Sequence, residues 1–126
     1  MAKQSSGRVF AAAVKQGRAT EIHELRMPPE AVDLALCVHA ALGVVPKRDV
    51  FALPIQLGLA VIARESVLNP SWAMLEDKRL ASTCRARPSL TRVAADRIAG
   101  LRREWGCESD ASVVRRIIVA AYLAYA

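Results

Sequence analysis

The sequence predicts a mainly α-helical domain with a short two-stranded antiparallel β-ribbon, formed by two similar half-units in one chain. The first observation behind this prediction is a repeat. The order strand, helix, glycine turn, apolar helix occurs twice, and an offset of 63 positions superposes Gly43 on Gly106 and Val50 on Val113. The second is physical: one short strand has unpaired edges, whereas two copies can pair their strands and interlock their helices.

The first copy is predicted over residues 20–65, with a strand at Thr20–Met27, a helix at Pro29–Leu42 and a helix from about Pro46 to Arg64. Partial period-two alternation indicates the strand, and apolar residues at helical spacing indicate the helices. Gly43 should end the first helix, because glycine tolerates left-handed backbone. Pro54 lies inside the second helix, where it should remove one backbone hydrogen bond and bend the helix.

The second copy is predicted over residues 82–126, with a strand at Ser82–Leu90 and helices at Arg92–Trp105 and Asp110–Ala126. Thr91 and Ser109 are the expected N-caps of these helices, because their hydroxyl groups can accept hydrogen bonds from free amides. Gly106 is the expected end of the first of them.

Positive charge is concentrated at the two ends of the chain, which has a net charge of +6 over 126 residues. Residues 1–19 contain four bases and no acid, and we interpret them as a basic arm. Residues 66–81 are interpreted as a linker with a short helix at Pro70–Leu80. Residues 82–126 contain eight arginines against four acids. This distribution favours a polyanionic partner.

Several other classes of protein are not expected. The apolar runs Phe51–Ala63 and Ile117–Ala126 fall short of the roughly 18 residues that a membrane span needs, so a cytoplasmic location is predicted. The three cysteines are widely spaced, which argues against a disulfide framework or a zinc site. Neither His23 nor His39 has a partner at ligand spacing. We therefore predict no metal, no cofactor and no enzymatic activity.

The segment Glu24-Leu25-Arg26-Met27-Pro28, leading into Glu30–Leu34 and then Gly43, resembles the ribbon–helix–helix family of Arc- and MetJ-type repressors. A looser second match starts at Ser89-Leu90-Thr91. The resemblance spans both copies, residues 20–65 and 82–126. It implies binding to double-stranded DNA, with the ribbon in the major groove and alternate side chains contacting base edges.

Period two assigns the faces of the two predicted strands. The core should receive His23, Leu25, Met27, Cys84, Ala86, Pro88 and Leu90. The predicted base-contacting residues are Ile22, Glu24, Arg26, Arg85, Arg87 and Ser89. Arginine suits bidentate contacts with guanine, so the second strand is expected to discriminate better between bases. Glu24 fits poorly beside phosphates, and could instead accept from cytosine or hold an arginine in place.

The resemblance also implies phosphate contacts at the N-terminus of each second helix, where free amides favour anions. By position, Lys47 and Arg48 are the predicted phosphate-contacting residues of the first copy, and Ser109 is that of the second. Glu108 and Asp110 are unfavourable there.

Both copies lie in one chain, so we expect a monomer with an internal pseudo-two-fold axis and an asymmetric DNA site. The whole chain resembles the DNA-binding C-terminal portion of VirC-type virulence proteins of tumour-inducing plasmids, which implies a bacterial protein, a preceding N-terminal region, and action with relaxase and a type IV secretion system in T-DNA border processing and transfer. One alternative is a plasmid repressor or conjugation accessory protein of the same fold. Another is an antitoxin-like module that binds proteins through an apolar Phe51–Ala63 surface.

Overall fold

The computed structural model describes residues 20–22, 24–46, 49–65 and 81–126. In chain order, the elements of this part of the chain are β1 (Thr20–Ile22), β2 (Leu25–Met27), α1 (Pro29–Ala41), α2 (Ala52–Glu65), β3 (Cys84–Ala86), β4 (Ser89–Thr91), α3 (Arg92–Trp105) and α4 (Asp110–Tyr125). The coarse prediction, mainly helical with a short antiparallel pair of strands, is confirmed. The positions outside the described residues include the basic arm (1–19), the linker helix Pro70–Leu80, His23, Lys47 and Arg48.

The strands form one interrupted antiparallel ribbon. β1 pairs with β4, so that Ile22 lies opposite Ser89, and β2 pairs with β3, so that Leu25 lies opposite Ala86. Both ladders keep the same register. The two halves of the chain are therefore joined through backbone pairing between residues that are distant in sequence.

Each predicted strand is split in two, and the second extends one residue further than expected, to Thr91. The break in the second strand falls at Arg87 and Pro88. Proline has no N–H group, so it cannot donate to a ladder hydrogen bond, which gives a physical reason for the interruption.

The helices α1 and α3 end in the same way, at glycines with positive φ. Gly43 has a φ of 67° and Gly106 one of 64°, a backbone conformation that glycine adopts without steric cost. The residue after Gly43 donates its N–H to the carbonyl of His39 at 2.9 Å, and the residue after Gly106 donates to that of Arg102 at 3.0 Å. Both predicted helix ends are confirmed, and both satisfy carbonyls that would otherwise lack a partner.

The predicted N-caps of α3 and α4 are also confirmed. The Thr91 hydroxyl accepts a hydrogen bond from the N–H of Ala94 at 3.1 Å. The Ser109 hydroxyl accepts one from the N–H of Ser112 at 3.2 Å. These short-range hydrogen bonds fix where each helix of the second half begins.

The start of α2 differs from the prediction, because the helix begins at Ala52 rather than near Pro46. One oxygen of the Asp49 carboxylate, Oδ1, accepts hydrogen bonds from the N–H groups of Phe51 at 3.2 Å and Ala52 at 3.0 Å. Pro54 consequently lies in the first turn, where an N–H group has no partner within the helix. Pro54 therefore removes no hydrogen bond of the helix, and the prediction that it would do so, which was the reason for expecting a bend, was wrong.

The core is centred on α4, which packs against α1, α2, α3 and β2. Its buried residues include Val113, Val114, Ile117, Ile118 and Val119. The inner face of the ribbon joins the same apolar cluster through Leu25, Met27, Ala86 and Leu90. Burial of this inner face holds the ribbon against the helices. No helix in the described part of the chain is long and apolar enough to cross a membrane.

The helices α2 and α4 approach closely where Gly58 faces Ile117. A Cβ atom added at Gly58 would lie well inside contact distance of the backbone carbonyl oxygen of Ile117. Backbone cannot move aside as the end of a flexible side chain can. The packing of these two helices therefore depends on the absence of a side chain at this position.

We predict that Gly58→Ala lowers the free energy of unfolding by about 1–3 kcal/mol, because the added methyl group forces the two helices apart. Gly100→Ala in α3 is the matched control, since an added Cβ there meets nothing within 4 Å. Alanine is favoured over glycine inside a helix, so this control should raise stability by up to about 1 kcal/mol. Urea unfolding followed by circular dichroism measures both changes, and equal effects of the two substitutions would contradict this account of the packing.

Candidate nucleic-acid interface

Among the residues whose side chains the structure describes, the outer face of the ribbon consists of charged and polar groups. Its exposed residues are Glu24, Arg26, Arg85, Arg87 and Ser89, and they alternate with the buried residues Leu25, Met27, Ala86, Pro88 and Leu90. The predicted facing is confirmed for all of these. Cys84 is half-buried, and Ile22 is placed in β1 by its backbone pairing alone. The structure thus gathers the five exposed residues on one surface, which we call the outer ribbon face.

Two arginines of this face stand directly across the ribbon from each other, because the register pairs Arg26 with Arg85. Side chains at opposed positions of an antiparallel pair are close neighbours, and like charges there are destabilising. The arrangement concentrates positive charge on a solvent-exposed surface. An anion bound at this surface would relieve the repulsion.

Glu24 lies between two arginines of the other strand. Its Oε2 atom accepts a hydrogen bond from Nη2 of Arg87 at 3.0 Å, and its Oε1 atom lies 3.8 Å from Nε of Arg85. The side chain of Arg87 remains 71% exposed in this pair, and that of Arg85 remains 69% exposed. Of the two roles that the sequence left open for Glu24, the structure shows the one in which it holds arginine in place.

The hydrogen bond from Arg87 and the positive charge of its guanidinium lower the pKa of Glu24 below its ordinary value of 4.5. The charges of Arg85 and Arg26 act in the same direction. Glu24 is therefore ionised at neutral pH, and the outer ribbon face carries three positive charges against one negative charge. Its net charge is positive.

Asp49 is a residue of this region that sequence reasoning missed. Its Oδ1 atom caps α2, and its Oδ2 atom accepts a hydrogen bond from the N–H of Ser89 at 2.7 Å. One carboxylate thus joins the start of α2 to the ribbon. The only sequence signal was an aspartate three residues before the true helix start, and the prediction of a start near Pro46 concealed it.

The role of Asp49 bears on the predicted phosphate site of the first copy. Free amides at the start of α2 were expected to meet phosphate, but two of the amides at this helix start already donate to the Asp49 carboxylate. An anion of the chain itself therefore occupies part of that position. Lys47 and Arg48 lie outside the described residues, and their contribution stays a prediction.

The start of α4 is arranged differently. Ser109 is used as the cap, and Arg102 approaches both neighbouring acids, with Nη1 lying 3.4 Å from Oδ1 of Asp110 and Nη2 donating to the backbone carbonyl of Glu108 at 2.7 Å. Arg115 donates to the Ser112 hydroxyl at 2.9 Å. The unfavourable charge of Asp110 is thus partly offset by a nearby arginine, which the sequence did not reveal.

The surface required by the antitoxin-like alternative is only partly available, because its apolar residues Leu53, Leu57, Leu59 and Ile62 are half-buried. Within Phe51–Ala63, the side chains of Phe51, Ile55 and Val61 are at most 5% exposed.

His39 is buried, and its Nε2 atom lies 2.9 Å from the carbonyl oxygen of Val50, a contact that ties the end of α1 to the chain before α2. Among the described residues, no three histidine, cysteine, aspartate or glutamate side chains are grouped as metal ligands would be.

Comparison of this chain with known protein families, with characterised proteins and with solved structures finds no match.

We predict that Arg87→Ala raises the pKa of Glu24 towards 4.5, because the largest cause of the lowered pKa is removed. A pH titration of the Glu24 carboxyl carbon by NMR measures this change. Arg103→Ala, on the exposed end of α3, is the control and should leave the pKa of Glu24 unchanged. Because folding lowers this pKa, any stability from the pair is present above 4.5 and is lost as the pH falls through the lowered value. An unchanged Glu24 pKa in Arg87→Ala would show that the pairing does not persist in solution.

Proposed function

We propose that this protein binds double-stranded DNA through the outer ribbon face, as a single-chain pair of ribbon–helix–helix half-units. The observation that supports this most strongly is the exposed arginine set, in which Arg26 and Arg85 face each other and Arg87 lies on the same surface. Exposed, opposed like charges weaken a ribbon unless an anion binds them. A bound polyanion would offset the repulsion between these arginines.

The shape of the surface favours a duplex. A two-stranded antiparallel ribbon fits the major groove of B-form DNA, where the base edges present distinct donors and acceptors. Arg85 and Arg87 extend from adjacent outward positions of one edge of the ribbon, and guanidinium groups donate bidentately to guanine. The buried inner face fixes the ribbon to the helices, so these side chains project from a held backbone.

The register supports the tandem arrangement. Glu24 and Arg87 are equivalent positions under the offset of 63, and they are hydrogen-bonded to each other across the ribbon. If a two-fold axis passes through the centre of a ribbon, the two residues that it relates at that centre lie opposite each other. The matching glycine ends of α1 and α3 fit the same symmetry. We therefore propose a monomer with an internal pseudo-two-fold axis.

The two half-units differ in the charges that they present. The second strand supplies Arg85, Arg87 and Ser89, whereas the first supplies Arg26 and the acidic Glu24. The proposed target is consequently an asymmetric site rather than a palindrome. For phosphate contacts we propose the start of α4, with Ser109, together with Lys47 and Arg48 of the first half.

The proposed setting is the bacterial cytoplasm, and the proposed process is DNA border processing and transfer together with relaxase. This setting depends on the resemblance to VirC-type virulence proteins alone. A plasmid repressor or a conjugation accessory protein would use the same face on a different DNA site, so identification of the bound sequence distinguishes these roles.

We predict that the double variant Arg85→Ala, Arg87→Ala loses about 1–3 kcal/mol of discrimination between a preferred duplex and a random duplex, because base contacts are removed. Lys47→Ala should weaken binding to all duplexes about equally and reduce its salt dependence, because a phosphate contact is removed. Fluorescence anisotropy at two salt concentrations measures both effects.

The control for these variants is Arg103→Ala, which removes a positive charge from an exposed position at the end of α3. It should change affinity only slightly and discrimination not at all. The division between base and phosphate contacts is wrong if the Arg85, Arg87 variant and Lys47→Ala lose the same amount of discrimination.

A further inference from the structure

We propose that Glu24 is a specificity-determining residue, which lowers the affinity of the outer ribbon face for DNA in general and favours duplexes with a G·C base pair at the centre of the ribbon. This inference rests on the proposed function. It concerns a residue whose charge is opposite to that expected on a DNA-binding surface, and which nevertheless lies at the middle of that surface.

The Glu24 carboxylate lies between two arginines. Each oxygen of Glu24 faces a different arginine, Oε2 towards Nη2 of Arg87 at 3.0 Å and Oε1 towards Nε of Arg85 at 3.8 Å. These two arginines are the main candidates for base contacts. Before DNA binds, one acid therefore engages the two side chains that would contact the bases.

The contacts of Glu24 with the two arginines cost little to break. The Glu24 side chain is 41% exposed, and both arginines are about 70% exposed. Ion pairs between exposed side chains add little to stability, because water screens the charges and the side chains lose conformational freedom. A ligand that offers each group a better partner can therefore separate them without disturbing the fold.

Phosphates and base edges differ as partners for Glu24 and the arginines. A phosphate that binds Arg87 comes to lie near the Glu24 carboxylate, whose negative charge repels it. A G·C base pair offers guanine N7 and O6 as acceptors for arginine and the cytosine amino group as a donor to glutamate. Only a base pair offers partners to both an arginine and the acid, so Glu24 penalises contacts that carry no sequence information.

The test uses the whole chain and the substitution Glu24→Gln, which keeps the shape of the side chain and removes its charge. Glu104→Gln is the matched control: it removes the same charge from an exposed position at the far end of α3. Two duplexes are compared by anisotropy at one salt concentration: the sequence that the wild-type protein selects from a random pool, and an unselected duplex. Thermal unfolding confirms that both variants are folded.

For Glu24→Gln we expect tighter binding to the unselected duplex than Glu104→Gln shows. The ratio of the two dissociation constants should fall about five-fold or more, the loss expected for one base contact. We also expect the wild-type selection to contain a G·C pair at a fixed central position, and the Glu24→Gln selection to lose that preference.

Equal dissociation-constant ratios in Glu24→Gln, Glu104→Gln and the wild type would overturn the inference. So would a wild-type protein that binds duplexes without preferring any sequence; in both cases the proposed binding of DNA would stand. If the wild-type protein binds no duplex at low salt, the proposed function fails and the inference fails with it.

Discussion

Strands from the two halves of the chain pair in one register, and this pairing decides which side chains reach the core and which reach solvent. A slip by one residue would move every side chain of a strand to the opposite face. The burial of Met27 and Leu90 opposes such a slip, because it would expose both to water. The outward position of Arg26, Arg85 and Arg87 is thus maintained by the apolar residues between them.

The helices support this arrangement from beneath. Within the described residues, α4 supplies most of the fully buried aliphatic side chains, and it reaches close contact with α2 where Gly58 leaves room for the backbone of Ile117. Asp49 then links the start of α2 to the ribbon through the N–H of Ser89. The outer ribbon face is therefore held at its edge by a carboxylate and from below by the core, and its exposed side chains keep the freedom to exchange partners.

Local signals in the sequence predicted a large part of this structure. Thr91, Ser109 and the two turn glycines act within a few residues of their own positions. Period two assigned the faces of Glu24–Met27 and Arg85–Leu90, whereas Cys84, which was predicted to face the core, is only half-buried. The start of α2 was misplaced because Pro46 is a residue typical of the first turn of a helix, whereas the helix begins at Ala52. The contacts of Glu24 with Arg87, and of Asp49 with Ser89, join residues 63 and 40 positions apart. Such contacts depend on the tertiary fold, which no local pattern contains.

The most direct test of the central claim is an NMR titration of the ¹⁵N-labelled protein with a DNA duplex at low salt. We predict that the amide signals of β2, β3 and β4 and the side-chain Nε signals of Arg85 and Arg87 change most. The changes should be reversed by added salt, because phosphate contacts release counterions. Changes centred instead on the exposed apolar residue Leu123 near the end of α4, or no changes at all, would contradict DNA binding through the outer ribbon face.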